Sequence, residues 1–242
     1  MTRFVRGLLA VLKWVGIGLL VLIAAVVIGS LVVPPLAAPF TERWGATDAE
    51  VAERLPGDNL VPHPRQSSTK AITIDAPAHT VYSLVAQMGY RRAGWAGWDW
   101  FYDLTGSSGF VDGHSSRRIV PQLQAVKRGD MIYINKMVGY QVVTADRPRS
   151  LVLFGGTGPD GGFIGPGQPL PSKFTSMSWE WEVRPVSADR TRLILRIRSD
   201  MAQQGGFVTW LFDQPLEFGG ALFGHKTLVG LKGIAETLTT AK

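Results

Sequence analysis

Apolar positions follow a different rhythm in each part of the chain. Between Trp14 and Pro34 no residue is charged and most are Val, Leu, Ile, Ala or Gly. A helix of about 20 such residues covers roughly 30 Å, the thickness of a bilayer's hydrocarbon core, so this run predicts a membrane span. Further on, the apolar residues recur at every second position. Met177, Trp179, Trp181 and Val183 alternate with Ser178, Glu180 and Glu182, a strand with one dry and one wet face. Arg192 to Ser199 sets Leu193, Leu195 and Ile197 against Arg192, Ile194, Arg196 and Arg198. A register pairing odd with odd stacks the Trp side chains on Leu and Ile and sets both glutamates beside the arginines, which predicts a hairpin turning at about Ser187 to Asp189. Near the end, Leu228, Leu231, Ala235 and Leu238 recur at helical spacing, with Lys226 and Lys232 off the stripe. With Asp213 as N-cap and Pro215 in the first turn, they predict one helix from Asp213 to Ala241.

The remaining elements are shorter. Lys70 to Ile74 alternates as a strand, and Asp75-Ala76-Pro77 opens a helix to about Met88 whose face is Val81, Leu84, Val85 and Met88. A Gly-broken aromatic segment follows, with a helical turn expected near Trp98 to Leu104. Strands are expected near Ser116 to Ile119, Met131 to Asn135, Gly139 to Ala145 and Leu151 to Phe154. A short helix at Asp48 to Leu55, capped by Thr47 or Asp48, sits in a Pro-rich, charged stretch. The expected organisation is an anchor over residues 1–35, a juxtamembrane tether over 36–68 and a folded domain over 69–242. Strands grouped together with helices at both ends mean an α+β class.

Composition narrows the function. The formal charge of +6 includes Arg3, Arg6 and Lys13, with no acid among residues 1–35; the other 22 basic side chains face 19 acidic ones. No Lys/Arg block exceeds a pair, so nucleic acid is not an expected partner. Cysteine is absent, which removes disulfides, thiol nucleophiles and Cys-ligated metals. Three basic residues before the span against Arg43 and Arg54 among four acids after it place the N-terminus in the cytoplasm and the domain on the outer face of the cell membrane. The apolar run exceeds the ~7–15 residues of a signal-peptide core, so the expectation is an uncleaved anchor, with cleavage as the alternative.

The run Ile72-Thr73-Ile74-Asp75-Ala76-Pro77 with its helix, Arg117-Arg118-Ile119-Val120-Pro121, Val126-Lys127-Arg128-Gly129-Asp130, Trp179 to Pro185 and the closing helix resemble bacterial SRPBCC proteins. These belong to the START, polyketide-cyclase and birch-pollen-allergen-like superfamily. The resemblance covers Thr69 to Ala241 and includes no catalytic motif. It implies a helix-grip fold, a curved antiparallel sheet wrapped around the long C-terminal helix, enclosing a hydrophobic cavity.

Candidate chemistry is sparse. Gly156-Thr157-Gly158-Pro159-Asp160-Gly161 matches the dinucleotide fingerprint literally, but the Gly and Pro residues that follow forbid the helix it must open. That segment instead reads as a long loop with an apolar tip, Phe163-Ile164, more readily a plain hairpin connection than a lid that flanks the cavity mouth or touches lipid. His63, His79, His114 and His225 show no ligand spacing, so no metal is expected. Gly106-Ser107-Ser108-Gly109 is a turn and lacks the nucleophile elbow. Asp99, Asp103, Asp112 and His114 form the one acid–base neighbourhood, and they read more readily as helix and turn surface. No catalytic residue and no cofactor is assigned.

The expected ligand-binding residues are Trp95, Trp98, Trp100, Phe101, Tyr102, Arg117, Met177, Trp179 and Trp181. Burying ~300 Å² of an apolar ligand at about 25 cal/mol per Å² gives a gross ~7 kcal/mol before ordering costs, so aromatic walls alone suffice. The expected function is a membrane-anchored domain, held by residues 14–34, that binds or carries a hydrophobic small molecule or lipid. Two alternatives stay open: a cyclase or hydratase acting in the same cavity, and a non-catalytic interaction domain with a filled core.

Overall fold

The computed structural model describes residues 2–202 and 207–240. Its sheet is antiparallel, with β1 (Gln66–Ile74), β2 (Met131–Tyr133), β3 (Gly139–Asp146), β4 (Ser150–Thr157), β5 (Phe163–Ile164), β6 (Phe174–Ser187) and β7 (Arg190–Ala202). The spatial order is β1-β7-β6-β4-β3-β2, and β5 pairs with β4. The helices are α1 (Thr2–Arg43), α2 (Asp48–Ala52), α3 (Ala78–Ala86), α4 (Asp99–Leu104) and α5 (Phe207–Thr240). The fold is α+β, a sheet gripping the C-terminal helix.

The β6–β7 hairpin has the register its alternation predicts. Trp179 lies opposite Ile197, Trp181 opposite Leu195, Val183 opposite Leu193 and Glu180 opposite Arg196. The odd-numbered side chains form the concave face, and α5 covers it with Leu228, Leu231 and Ala235 buried. Burial of this apolar stripe, more than helix propensity, holds α5 in place. Pro77 is the N-cap of α3, and Val81, Leu84 and Val85 are buried in the same core.

Two elements depart from expectation. No strand forms at Ser116 to Ile119; side chains satisfy that backbone instead, with Gln87 Nε2 donating to the Arg118 carbonyl and the Val120 amide donating to Gln87 Oε1, each at 2.9 Å. Local and side-chain hydrogen bonds of this kind compete with a ladder. The terminal helix begins at Phe207, not Asp213, because the uncharged run Phe207 to Phe212 continues it upstream. Asp213 and Pro215 fall inside α5, and the expected N-cap role concerns side chains outside those described.

The polar face of β6 and β7, expected to be wet, is covered. After α1 the chain turns at Gly45, whose φ of 69° suits glycine, and residues 47–62 run across the convex side of the sheet. Thr47 caps α2 in a capping box with Glu50. Arg196 donates to Asp58 at 2.9 Å, to Thr69 Oγ1 and to the carbonyls of Glu50, Val51 and Glu53. Arg192 pairs with Glu50 at 2.8 Å and Arg184 with Glu53 at 2.8 Å. The stretch expected to be a tether therefore forms a clasp held by arginines of β6 and β7.

The last turns of α1 dock as well. Phe40 and Trp44 flank the His225 ring of α5 at 5.1 and 4.2 Å, the Trp44 carbonyl accepts from the Ala71 amide at 3.0 Å, and buried Lys70 donates to the Thr41 carbonyl. Upstream of this joint, Leu12–Val33 is long and apolar enough to cross a membrane and touches no other part of the chain enough to be buried.

Candidate functional site

The site is built on the concave face of β6. The ring of Trp179 stacks on Trp95 at 5.4 Å, tilted by 7°, and lies 6.0 Å from Trp181 and 6.1 Å from Tyr140 of β3. Trp95 is delivered by a tight turn with Arg91 and Ala96 at positive φ. The Ala96 carbonyl presses on Gly230 of α5, so closely that a Cβ there would lie 1.8 Å from its oxygen. Asp99, at the start of α4, accepts from the Ser115 amide at 2.9 Å and from its hydroxyl, while Ser115 Oγ accepts from the Trp95 amide. These bonds tie α4 and the Trp95 turn into one unit.

A second aromatic group continues the wall. Phe223 of α5 is surrounded by Trp98 at 5.3 Å, Phe101 at 4.4 Å and Tyr102 at 5.9 Å, and Tyr102 meets Phe110 at 6.0 Å. No residue of α4 is fully buried. This short helix is thus pinned to α5 chiefly through rings.

The wall buries donors that have no protein acceptor among the described residues. The indole N–H groups of Trp95 and Trp179 are buried and unpartnered. Tyr140 Oη has a thioether acceptor, Met177 Sδ, at 3.4 Å. Burial pushes the Tyr140 hydroxyl up to about 12 and raises Tyr102 too, where Asp99 adds to the effect and a bond with Thr227 opposes it. A buried donor left without any partner costs about 1–3 kcal/mol in desolvation.

Beside Leu84, Met88, Ala93, Leu231 and Ile234 a cavity of about 10 Å³ remains, room for one water. A wider recess of about 180 Å³ opens near the end of α5, between Pro77, Thr80, Ile119, Leu238 and Thr239.

The structure brings together Trp95, Trp98, Phe101, Tyr102, Met177, Trp179 and Trp181. Trp100, 64% exposed, stays at the rim of the wall with its ring edge-on to Phe101 at 5.9 Å, and Arg117 is exposed to solvent. Tyr140, Phe223 and Phe110 join the wall without having been singled out. Alternation of Tyr140 with Val142 could have placed the first, whereas Phe223 meets α4 through a long-range contact with no local signal.

The other motifs have structural roles. Gly156 pairs with Ile164 and Thr157 with Phe163, so the glycine-rich run is a hairpin connection. Asp112 accepts from Arg118 at 2.7 Å and from Ser116, which holds its carboxyl below the usual range, and His114 Nδ1 sits 2.7 Å from the Asp112 carbonyl. Among the described residues no cluster of His, Asp and Glu could hold a metal ion.

No family model and no curated protein matches the chain. Solved structures of similar fold include the di-domain aromatase/cyclase BexL from the BE-7585A biosynthetic pathway, at 19% identity over 72% of this chain and 47% of that one, TM-score 0.33. This chain thus spans about half the length of that protein. Others are the Zhui aromatase/cyclase from Streptomyces sp. R1128 (13% identity, 71% and 93% covered, TM-score 0.35) and a polyketide-cyclase-like protein from Corynebacterium glutamicum (15%, 72% and 94%, 0.36). The helix-grip architecture of this chain follows from its own strand order and helix placement, independently of these likenesses.

Proposed function

We propose that this chain is a membrane-anchored binder of an apolar small molecule or lipid bearing an acceptor oxygen, which enters between β6 and the α4–α5 wall. The observation that carries this reading is the pair of stacked tryptophans whose buried N–H groups have no acceptor. A carbonyl, ether or ester oxygen seated there satisfies them, while the rings supply the apolar area. Entry requires α4 to part from Phe223, and a short helix without a buried residue is the element that moves at least cost. The span Leu12–Val33 supports the anchor, and the Lys/Arg asymmetry around it supports a domain on the outer face.

Native mass spectrometry of the full chain, extracted from cells in mild detergent, tests the binding. An added mass that organic extraction removes, and that Trp179→Phe weakens, is the expected result. Repeated absence of any adduct, with no uptake from lipid extracts, refutes it. The second reading, a filled-core interaction domain, would then stand.

A further inference from the structure

Helices α3 and α5 run antiparallel along one seam, with residues 116–120 beside them. Leu84 and Met88 of α3 share the small cavity with Leu231 and Ile234 of α5 and with Ser116. Further along, Pro77 and Thr80 share the wider recess with Leu238 and Thr239 and with Ile119. The seam is therefore packed at one end and open at the other.

Thr80, Ser83 and Gln87 lie on one face of α3, at positions i, i+3 and i+7, and all three are buried. Gln87 bonds to the backbone of Arg118 and Val120, and Ser83 Oγ accepts from Arg147 at 2.8 Å. Thr80 ends the stripe. It is 6% exposed and lines the recess, yet among the described residues its hydroxyl has no hydrogen-bond partner. The protein thus matches two members of a buried polar stripe and leaves the third facing free space.

Helix α3 also begins here. Its N-cap, Pro77, supplies no side-chain bond to the first turn. The amides of Thr80 and Val81 donate to the Pro77 carbonyl at 3.0 and 3.2 Å, which leaves those of Ala78 and His79 without an acceptor inside the helix. The positive end of the helix dipole favours an anion at this point, and the Arg147 guanidinium at Ser83 adds a full positive charge one turn away. Asp75 and Glu236 are each paired, Asp75 with Arg190 at 3.2 Å and Glu236 with Lys232. Pro77, Ile119 and Leu238 supply apolar walls, and 180 Å³ is many times the ~10–15 Å³ that one water needs.

We propose that this recess is a second binding site, for a small carboxylate carrying a short apolar chain. The chain lies against Pro77, Ile119 and Leu238, and the carboxylate accepts from the Thr80 hydroxyl and the first amides of α3. The site shares no residue with the tryptophan wall and does not depend on what that wall binds.

The full chain, reconstituted in phosphatidylcholine nanodiscs, is titrated with hexanoate and with hexylamine and read by saturation-transfer difference NMR, with empty nanodiscs as the blank. Hexanoate is expected to bind above the blank and hexylamine at least tenfold more weakly. Thr80→Val keeps the shape of the side chain and removes its hydroxyl. It should weaken hexanoate about tenfold, as the loss of one hydrogen bond to a charged group does, without lowering the urea midpoint of the ligand-free protein. Leu238→Trp fills the recess and should abolish binding. A hexanoate signal equal to the blank overturns the site. Equal hexanoate binding by Thr80→Val or Leu238→Trp, or equal binding of hexylamine, overturns the assignment as well. A lowered midpoint in Thr80→Val would mean that the hydroxyl is bonded within the protein, which also refutes the proposal.

Discussion

Replacing Glu180 by Gln isolates a buried carboxyl at the joint between sheet and clasp. Glu180 is 2% exposed and accepts from the Gly57 amide at 3.1 and 3.2 Å. Its cross-strand partner Arg196 is engaged elsewhere, by Asp58 and three clasp carbonyls. Burial raises its pKa from 4.5 to about 8; Glu182 and Asp58 add to the rise, while the Gly57 bond and Arg196 oppose it. The folded chain therefore holds a proton that the unfolded chain loses above pH 4.5, and stability falls as pH rises through that window and levels off near pH 8. At 1.36 kcal/mol per pKa unit the penalty approaches roughly 5 kcal/mol at pH 9, an upper figure since water entering the joint lowers it. Glutamine keeps one acceptor for Gly57 and no charge. Urea unfolding of the detergent-solubilised chain, followed by tryptophan fluorescence, should show the two proteins alike at pH 4 and Glu180→Gln more stable by several kcal/mol at pH 9. Parallel stability curves from pH 5 to 9 would refute the reasoning, since Glu180 would then be ionised and paired with Arg196 in the folded state.

Two glycines of α5 should respond oppositely to the same change. Gly233→Ala meets no atom within 4 Å and should stabilise by about 0.5–1 kcal/mol through helix propensity, whereas Gly230→Ala meets the Ala96 carbonyl at 1.8 Å and should lose about 1–3 kcal/mol, read as opposite shifts in urea midpoint. Arg196→Met removes the donor to Asp58 and the clasp, should cost about 3–5 kcal/mol, and should speed hydrogen exchange at Gly57 before the sheet opens. Leu228→Ala, in a fully buried position under the sheet, should cost about 2–5 kcal/mol in thermal or urea unfolding. Equal midpoints for parent and Leu228→Ala would mean that α5 does not grip the sheet.

What the chain's own pattern determined is local and periodic. The alternation in Ser176 to Val183 and Arg192 to Ser199 decided strand type, register and inner face, because a one-residue slip would turn every Trp and Leu outward. The stripe from Leu228 to Leu238 set the inner face of α5 in the same way, though not where that helix begins. Tertiary structure alone decided what covers each face. Glu180 and Arg196 read the same whether they meet water or residues 50–58, since nothing in their spacing records a partner more than 120 residues away. Trp95 and Trp179 likewise read as wall or filling, and only the stacking of two distant segments left their N–H groups without acceptors. Periodicity reports which side of an element is apolar; the occupant of that side depends on contacts between segments far apart in the chain.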